Sequence, residues 1–179
     1  MEQESTTYDD VTTRSTGIRY GLIGAVISIV FFLIISMADV NPQGGAQYVG
    51  WIITTALLIL AHKYYKDSRD GFMSYGEWIT IAFWMGLVTG VISSIFTFIY
   101  IKFVDQGFIE ALKETQAEAY AESGMSEEQI ETAMSFGEKF FTPGWLFVMT
   151  LLGTIITNII IALIVTIFTK KTNPEPTFN

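Results

Sequence analysis

Few side chains in this sequence have both the type and the spacing for chemistry. Ser74 and Glu77 stand three residues apart in the stretch DGFMSYGEW, directly before a long run without charge. This Ser-x-x-Glu spacing is typical of a capping box. In such a box the Ser74 hydroxyl accepts a hydrogen bond from the Glu77 backbone amide, and the Glu77 carboxylate accepts one from the Ser74 backbone amide. A carboxylate in the first turn also complements the helix dipole. We therefore interpret Glu77 as a cap; an ion- or proton-binding role with His62 or Arg69 is the alternative.

The remaining polar residue types are too sparse for a familiar catalytic or metal site. His62 is the single histidine, whereas zinc takes three or four protein ligands, so we expect an interfacial anchor or hydrogen-bond donor. The sequence has no Cys, which excludes disulfides and thiolate metal ligands. Asn158 lies near the middle of an uncharged segment, where an unpaired amide is strongly destabilising. We expect it to face other helices as a structural contact, with a substrate path as the alternative.

The placement of charge predicts the elements that hold these residues. Half of the residues are hydrophobic and 16% are charged, against roughly 25% in soluble domains. Each of four uncharged stretches is long enough for a helix of about 20 residues to cross a bilayer. Unpaired backbone groups are not tolerated in lipid, so an all-α fold with four transmembrane helices follows. The stretches are residues 20–38, 40–61, 78–101 and 143–169.

We expect one domain over residues 17–171, an integral membrane four-helix bundle between polar cytoplasmic tails at 1–16 and 172–179. The basic residues outside the 102–142 connection are Arg14 and Arg19 before the first span, Lys63, Lys66 and Arg69 around the loop after the second span, and Lys170 and Lys171 at the C-terminus. The positive-inside rule therefore places both termini and that loop in the cytoplasm. The predicted spans cover about residues 18–38, 46–65, 75–102 and 143–169.

The connection between the third and fourth spans is too long to lack structure of its own. Residues 105–141 contain helix-forming segments on both sides of Gly124, and Ser126 and Gln129 repeat the capping-box spacing. This pattern predicts an extracytoplasmic helical hairpin. Residues 102–142 hold nine acidic and three basic residues. We interpret this excess as a solvated face, with attraction of a basic partner or of divalent cations as the alternative.

Small residues recur at helical spacing in the first and third spans. Such strips allow two helix backbones to approach closely, which matters where lipid supplies no hydrophobic drive between helices. We interpret both strips as packing positions within the chain; dimerisation or docking on a partner subunit is the alternative. The strips are Gly17, Gly21 and Gly24, and Gly86, Gly90 and Ser94.

A family resemblance is carried by FMSYGEWITIAFWMGLVTGVISSIFTFIYIKFVD and by GTIITNIIIALIVTIFTKK. Together they resemble a bacterial family of small four-span inner-membrane proteins, known only as domain of unknown function 4199, over about Arg19 to Lys171. The resemblance implies a multi-pass protein of the cytoplasmic membrane. It implies no catalytic residue, because the family has no agreed activity.

The sequence favours a non-enzymatic structural or accessory subunit, packed in the lipid bilayer with a second copy of itself or with a membrane-protein partner. An enzyme is not expected, because the uncharged segments hold no nucleophile with a base, no carboxylate pair and no metal cluster. We expect no cofactor, no metal and no nucleic acid. The alternative is a small-solute or ion pathway formed by an oligomer, using Thr54, Thr55, Ser93, Thr157 and Asn158.

Overall fold

The computed structural model describes residues 11–38, 45–69 and 71–169, and these fold as helices, without strands. The predicted all-α class is thereby confirmed for the described part of the chain. Most of the expected tail at 1–16, residues 39–44 after the first span and the expected tail at 172–179 lie outside the described residues.

The helices begin and end close to the predicted limits. A π-helical turn, Tyr100–Val104, extends α3, and a 3-10 turn, Glu138–Phe140, follows α5. The α-helices are α1 Thr13–Met37, α2 Ala46–Asp67, α3 Tyr75–Ile99, α4 Phe108–Glu122, α5 Glu127–Gly137 and α6 Pro143–Thr169.

The first helix begins at Thr13, earlier than the predicted start of the first span at about residue 18. A capping box produces this early start. The Thr12 hydroxyl accepts from the Ser15 amide at 3.0 Å, and the Ser15 hydroxyl accepts from the Thr12 amide at 3.0 Å. Residues 13–16, expected in the polar tail, are therefore helical, and Thr16 is buried.

Among the described residues, three helical segments are long and apolar enough to cross a membrane: Thr13–Met37, Tyr75–Val104 and Pro143–Ile167. The chain is accordingly a membrane protein with three candidate spans. Length and composition do not confirm the predicted fourth span, α2, which carries two threonines and ends in the polar stretch HKYYKD.

The four long helices form one bundle with α3 at its centre. α3 packs along α1 on one side and α6 on the other, whereas α2 lies against α1 and α6 and touches α3 little. Tyr20 of α1 meets Tyr64 of α2, and Gly50 of α2 lies near Phe31 of α1, so these two helices are antiparallel. We call the end with residues 68–74 the loop end, and the end with α4 and α5 the hairpin end.

The tight core occupies the half of the bundle nearest the loop end, and the outer faces are apolar. Buried residues there form two adjoining clusters: Ala61, Tyr65, Met73, Trp78, Ile81 and Val165; and Leu57, Leu58, Ala82, Met85 and Ala162. Large aliphatic side chains such as Val26, Ile95 and Ile156 lie exposed on the outside of the bundle. Such a surface suits lipid rather than water.

The connection between α3 and α6 is a pair of helices that turns at Gly124, whose φ of 86° favours glycine. Ser126 caps α5 by accepting from the Gln129 amide, while the Gln129 side chain accepts from the Ser126 amide at 2.9 Å. Neither α4 nor α5 contains a buried residue. Phe108, at the start of α4, contacts the aromatic rings of Phe32 and Tyr100 and so ties the pair to the bundle.

Candidate functional site

A cavity of about 540 Å³ lies in the half of the bundle nearest the hairpin end. It is lined by residues of α1, α2, α3 and α6, and Phe108 and Leu112 of α4 reach its edge. Its size falls in the range of roughly 300–1,000 Å³ that is usual for small-molecule sites. The cavity forms because α2 stays apart from α3 at this level, while the two helices meet through buried side chains nearer the loop end.

A group of aromatic rings closes the cavity towards the hairpin end; we call it the aromatic cap, and it consists of Phe32, Phe96, Tyr100 and Phe108. Phe32 is its centre, with ring centroids 5.8 Å from Phe96, 5.0 Å from Tyr100 and 5.8 Å from Phe108. The Tyr100 and Ser36 hydroxyls share a hydrogen bond of 2.7 Å. The cap therefore joins α1, the end of α3 and the start of α4 in one contact.

Three of the hydroxyl groups that line the cavity donate to a backbone carbonyl. Thr54 donates to Gly50 O at 2.9 Å and Thr154 donates to Thr150 O at 2.7 Å, one turn back in their own helices. Thr89 donates across helices to Gly21 O at 2.9 Å. Each bond gives the hydroxyl proton an acceptor inside the bundle, where water is not available as a partner.

Two buried polar atoms at the cavity have no hydrogen-bond partner. Asn158 is 3% exposed; its Nδ2 donates to Thr154 O at 2.9 Å, but its Oδ1 makes no hydrogen bond. The buried hydroxyl of Ser93 has no hydrogen-bond partner either. The structure thus brings Asn158 and Ser93 to one cavity, together with Thr54 and Thr157, while the Ser94 side chain is fully buried on α3 without a hydrogen-bond partner.

The first small-residue strip lies against α3. A Cβ on Gly17 would stand 2.5 Å from Trp84 Cβ and 2.8 Å from the Ile81 carbonyl oxygen. A Cβ on Gly21 would stand 2.8 Å from Val88 Cβ. Separations below about 3 Å between such atoms are repulsive, so α1 sits this close to α3 only because these positions are glycine.

The second strip lies against α6. A Cβ on Gly86 would stand 3.0 Å from Ile155 Cα and 3.1 Å from Asn158 Cβ, and one on Gly90 would stand 3.1 Å from the Leu151 carbonyl oxygen. Both strips are therefore covered inside the chain. The alternative that they form a dimer or bind a partner subunit would need the bundle to open.

Glu77 lies at the loop end, far along α3 from the cavity, and its carboxylate is fully engaged. Oε2 accepts from the Ser74 amide at 2.8 Å and from the Ser74 hydroxyl at 2.9 Å. Oε1 accepts from the Tyr65 hydroxyl at 2.6 Å and pairs with Arg69 Nη1 at 3.3 Å. The Glu77 amide donates back to the Ser74 hydroxyl at 3.4 Å, completing the capping box. This network also fastens the end of α2 to the start of α3.

His62 does not take part in that network. Its side chain is 1% exposed and lies against Trp78, with the ring centroids 4.0 Å apart. The expected role as an interfacial anchor was wrong, because the ring packs inside the bundle, whereas the other expected role, that of a hydrogen-bond donor, stays a prediction. No short pattern in the sequence predicts this contact, because Trp78 belongs to the next helix.

A family model described as "Protein of unknown function (DUF4199)" matches residues 19–171. The chain belongs to this family. The resemblance that the sequence suggested is thereby confirmed. Neither the curated proteins nor the solved structures contain a match to the chain.

The DUF4199 match covers every helix that lines the cavity. The cavity itself was not predicted from the sequence, and neither was the aromatic cap or the bond between Thr89 and α1. Each depends on how separate helices meet. The amide side chain in the middle of α6, Asn158, was the signal that pointed to this part of the molecule.

Proposed function

We propose that this DUF4199 protein is a non-enzymatic accessory subunit of a bacterial cytoplasmic membrane. In this proposal α1, α2, α3 and α6 all cross the bilayer, both termini are cytoplasmic, and the α4–α5 hairpin lies outside. The hairpin is the element that contacts a membrane-protein partner or a second copy of the chain.

The packing and surface of α2 support a fourth span. Its 22 residues reach roughly 33 Å as a helix, and it lies alongside α1 and α6. Aromatic rings near its start and lysines near its end suit the two interfaces of a membrane. Its outward face carries exposed apolar side chains throughout its length, namely Val49, Ile52, Ile59 and Leu60.

The observation that carries the accessory role is the absence of any buried residue in α4 and α5. Helices of 15 and 11 residues are marginal in water without tertiary contacts. Phe136 of α5 is 76% exposed, and an exposed large aromatic side chain is typical of a contact surface. The excess of acidic residues around it would favour a basic partner surface through electrostatic complementarity.

The internal strips support the same proposal. Because α1 covers α3 on one side and α6 covers it on the other, a partner has the hairpin and the lipid-facing surfaces left to contact. A hairpin contact also leaves the bundle intact.

Within the described chain, the polar groups that line the cavity are hydroxyls and one amide, without a titratable side chain to act as a base. This supports the non-enzymatic proposal. The alternative of an oligomeric solute pathway gains support from Thr54, Ser93, Thr157 and Asn158, which all line the cavity. Thr55 instead donates to Trp51 O. The packed clusters towards the loop end oppose a pathway through a single chain.

We expect purification in mild detergent, with chemical crosslinking in the membrane beforehand, to recover a stoichiometric partner or a defined homo-oligomer. Phe136→Ser should abolish that crosslinked species, because it removes the most exposed aromatic side chain of the hairpin. Phe103→Ser, at a 70% exposed position on the π-helical turn, is the matched control and should keep it. A strictly monomeric wild-type protein, or equal behaviour of the two variants, contradicts the proposal.

A further inference from the structure

The two unpaired polar atoms at the cavity define what a bound molecule would have to offer. Asn158 has committed its Nδ2 to the Thr154 carbonyl, so its free Oδ1 requires a donor. The Ser93 hydroxyl can donate or accept. An unsatisfied acceptor as deeply buried as Oδ1 is costly, and a hydroxyl group on a ligand would satisfy it.

The remaining lining sets the other properties of that molecule. In the part of the chain that the structure describes, the lining contains no Asp, Glu, Lys, Arg or His, so a charged head group would be left without a partner. Most of the surface is apolar, with Phe31, Ile53, Leu57 and Leu146 contributing. The helices that enclose it carry apolar outer faces, and a molecule that dissolves in lipid can therefore reach the cavity.

The geometry points to a binding site for an uncharged apolar molecule with a hydroxyl group, such as a long-chain or isoprenoid alcohol. Its hydroxyl donates to Asn158 Oδ1, and the Ser93 hydroxyl is a second polar group on the same lining. Its apolar chain fills the space between α2 and α6 and ends beneath the aromatic cap. This inference concerns the single chain and requires no partner. Its test is therefore independent of the test of the accessory role.

Water is the competing occupant. A single water molecule would satisfy Oδ1, but one water accounts for about 30 Å³, a small part of the cavity's 540 Å³. Buried water also needs two to four polar partners; Thr54, Thr89 and Thr154 have already donated their protons to carbonyl groups and can only accept from it.

Photolabelling tests the inference on the purified full-length protein. The probe is a long-chain primary alcohol with a diazirine in its chain, and the matched probe is the alkane of equal length with the same diazirine. We expect the alcohol to label residues of α2 and α6 that line the cavity, roughly two- to tenfold more strongly than the alkane, as one net hydrogen bond implies. Asn158→Leu should reduce this preference, because it removes the acceptor.

A cavity-filling variant separates binding inside the bundle from labelling of its surface. Gly153 lines the cavity, and a Cβ there would meet no atom within 4 Å, so Gly153→Leu fills the space without a clash at Cβ and should abolish the labelling. Gly144→Leu is the matched control: it lies on the same helix with equally open space, is not part of the lining, and should label as the wild type does.

Equal labelling by alcohol and alkane would show that no hydroxyl is recognised. Undiminished labelling of Gly153→Leu, or labelling confined to lipid-facing residues, would show that the alcohol does not bind in the cavity. Each of these results overturns the inference.

Discussion

Replacing Trp78 by alanine should lower the free energy of unfolding by about 3–5 kcal/mol, the range for removing a large aromatic side chain from a core. Trp78 is 1% exposed and lies in the packed cluster at the loop end. It contacts the His62 ring, and the Lys66 ammonium stands 5.3 Å from its ring centroid. Both partners are on α2, so the indole holds α2 against α3.

The measurement is reversible unfolding in mixed micelles with increasing denaturing detergent. Trp51→Ala, the same substitution on α2 at a 50% exposed position, is the matched control. We expect it to change the free energy of unfolding little, because its ring faces outwards. Equal losses for the two variants would mean that the loop-end cluster is not the core of the fold.

Replacing Gly17 by alanine should destabilise the protein by roughly 1–3 kcal/mol, the usual cost of overpacking. The added methyl carbon would stand 2.5 Å from Trp84 Cβ and 2.8 Å from a backbone oxygen of Ile81, so α1 must move away from α3. Helix propensity alone predicts the opposite sign, because alanine is favoured over glycine by about 1 kcal/mol in a helix interior.

The control is Gly153→Ala, where the new Cβ meets no atom within 4 Å and should leave stability unchanged or raise it. Gly86→Ala should fall between the two, since its closest contact is 3.0 Å. The same detergent titration measures all three. A Gly17 variant as stable as the Gly153 variant would show that the close contact between α1 and α3 does not exist.

Local signals in the sequence predicted the helices and their caps well. The limits of α2 and α6 fall within two residues or so of the expected spans, because the first charged residues mark where an apolar helix ends. Ser74, Glu77 and Gly124 act through neighbours three or four residues away, so short patterns contain the information. The Thr12–Ser15 box was missed because Ser stands where Glu or Gln is the usual signal.

The same short patterns did not predict the contacts between helices. The glycine strips showed that backbones meet, but not that α1 would face α3 and that α3 would face α6. Asn158 was expected to face the bundle, yet the cavity beside it arises from the gap between α2 and α3. Such a gap depends on the packing of side chains far apart in the sequence.

The two halves of the bundle differ in a way that links stability to the proposed binding site. Near the loop end, Trp78 and its neighbours fill the interior, and the Glu77 network fastens α2 to α3. Near the hairpin end the interior contains the cavity, and the aromatic cap lies over it.

The central claim is that α2 crosses the bilayer as the fourth span, and single cysteines test it directly because the chain has no native cysteine. Gly45 and Ser68 flank the two ends of α2, and Ser123 lies at the turn of the hairpin; all three positions are exposed. In spheroplasts treated with a membrane-impermeant maleimide, we expect Gly45→Cys and Ser123→Cys to react and Ser68→Cys to react only after permeabilisation. If Gly45→Cys and Ser68→Cys reacted alike before permeabilisation, α2 would not cross the membrane and the four-span account would be wrong.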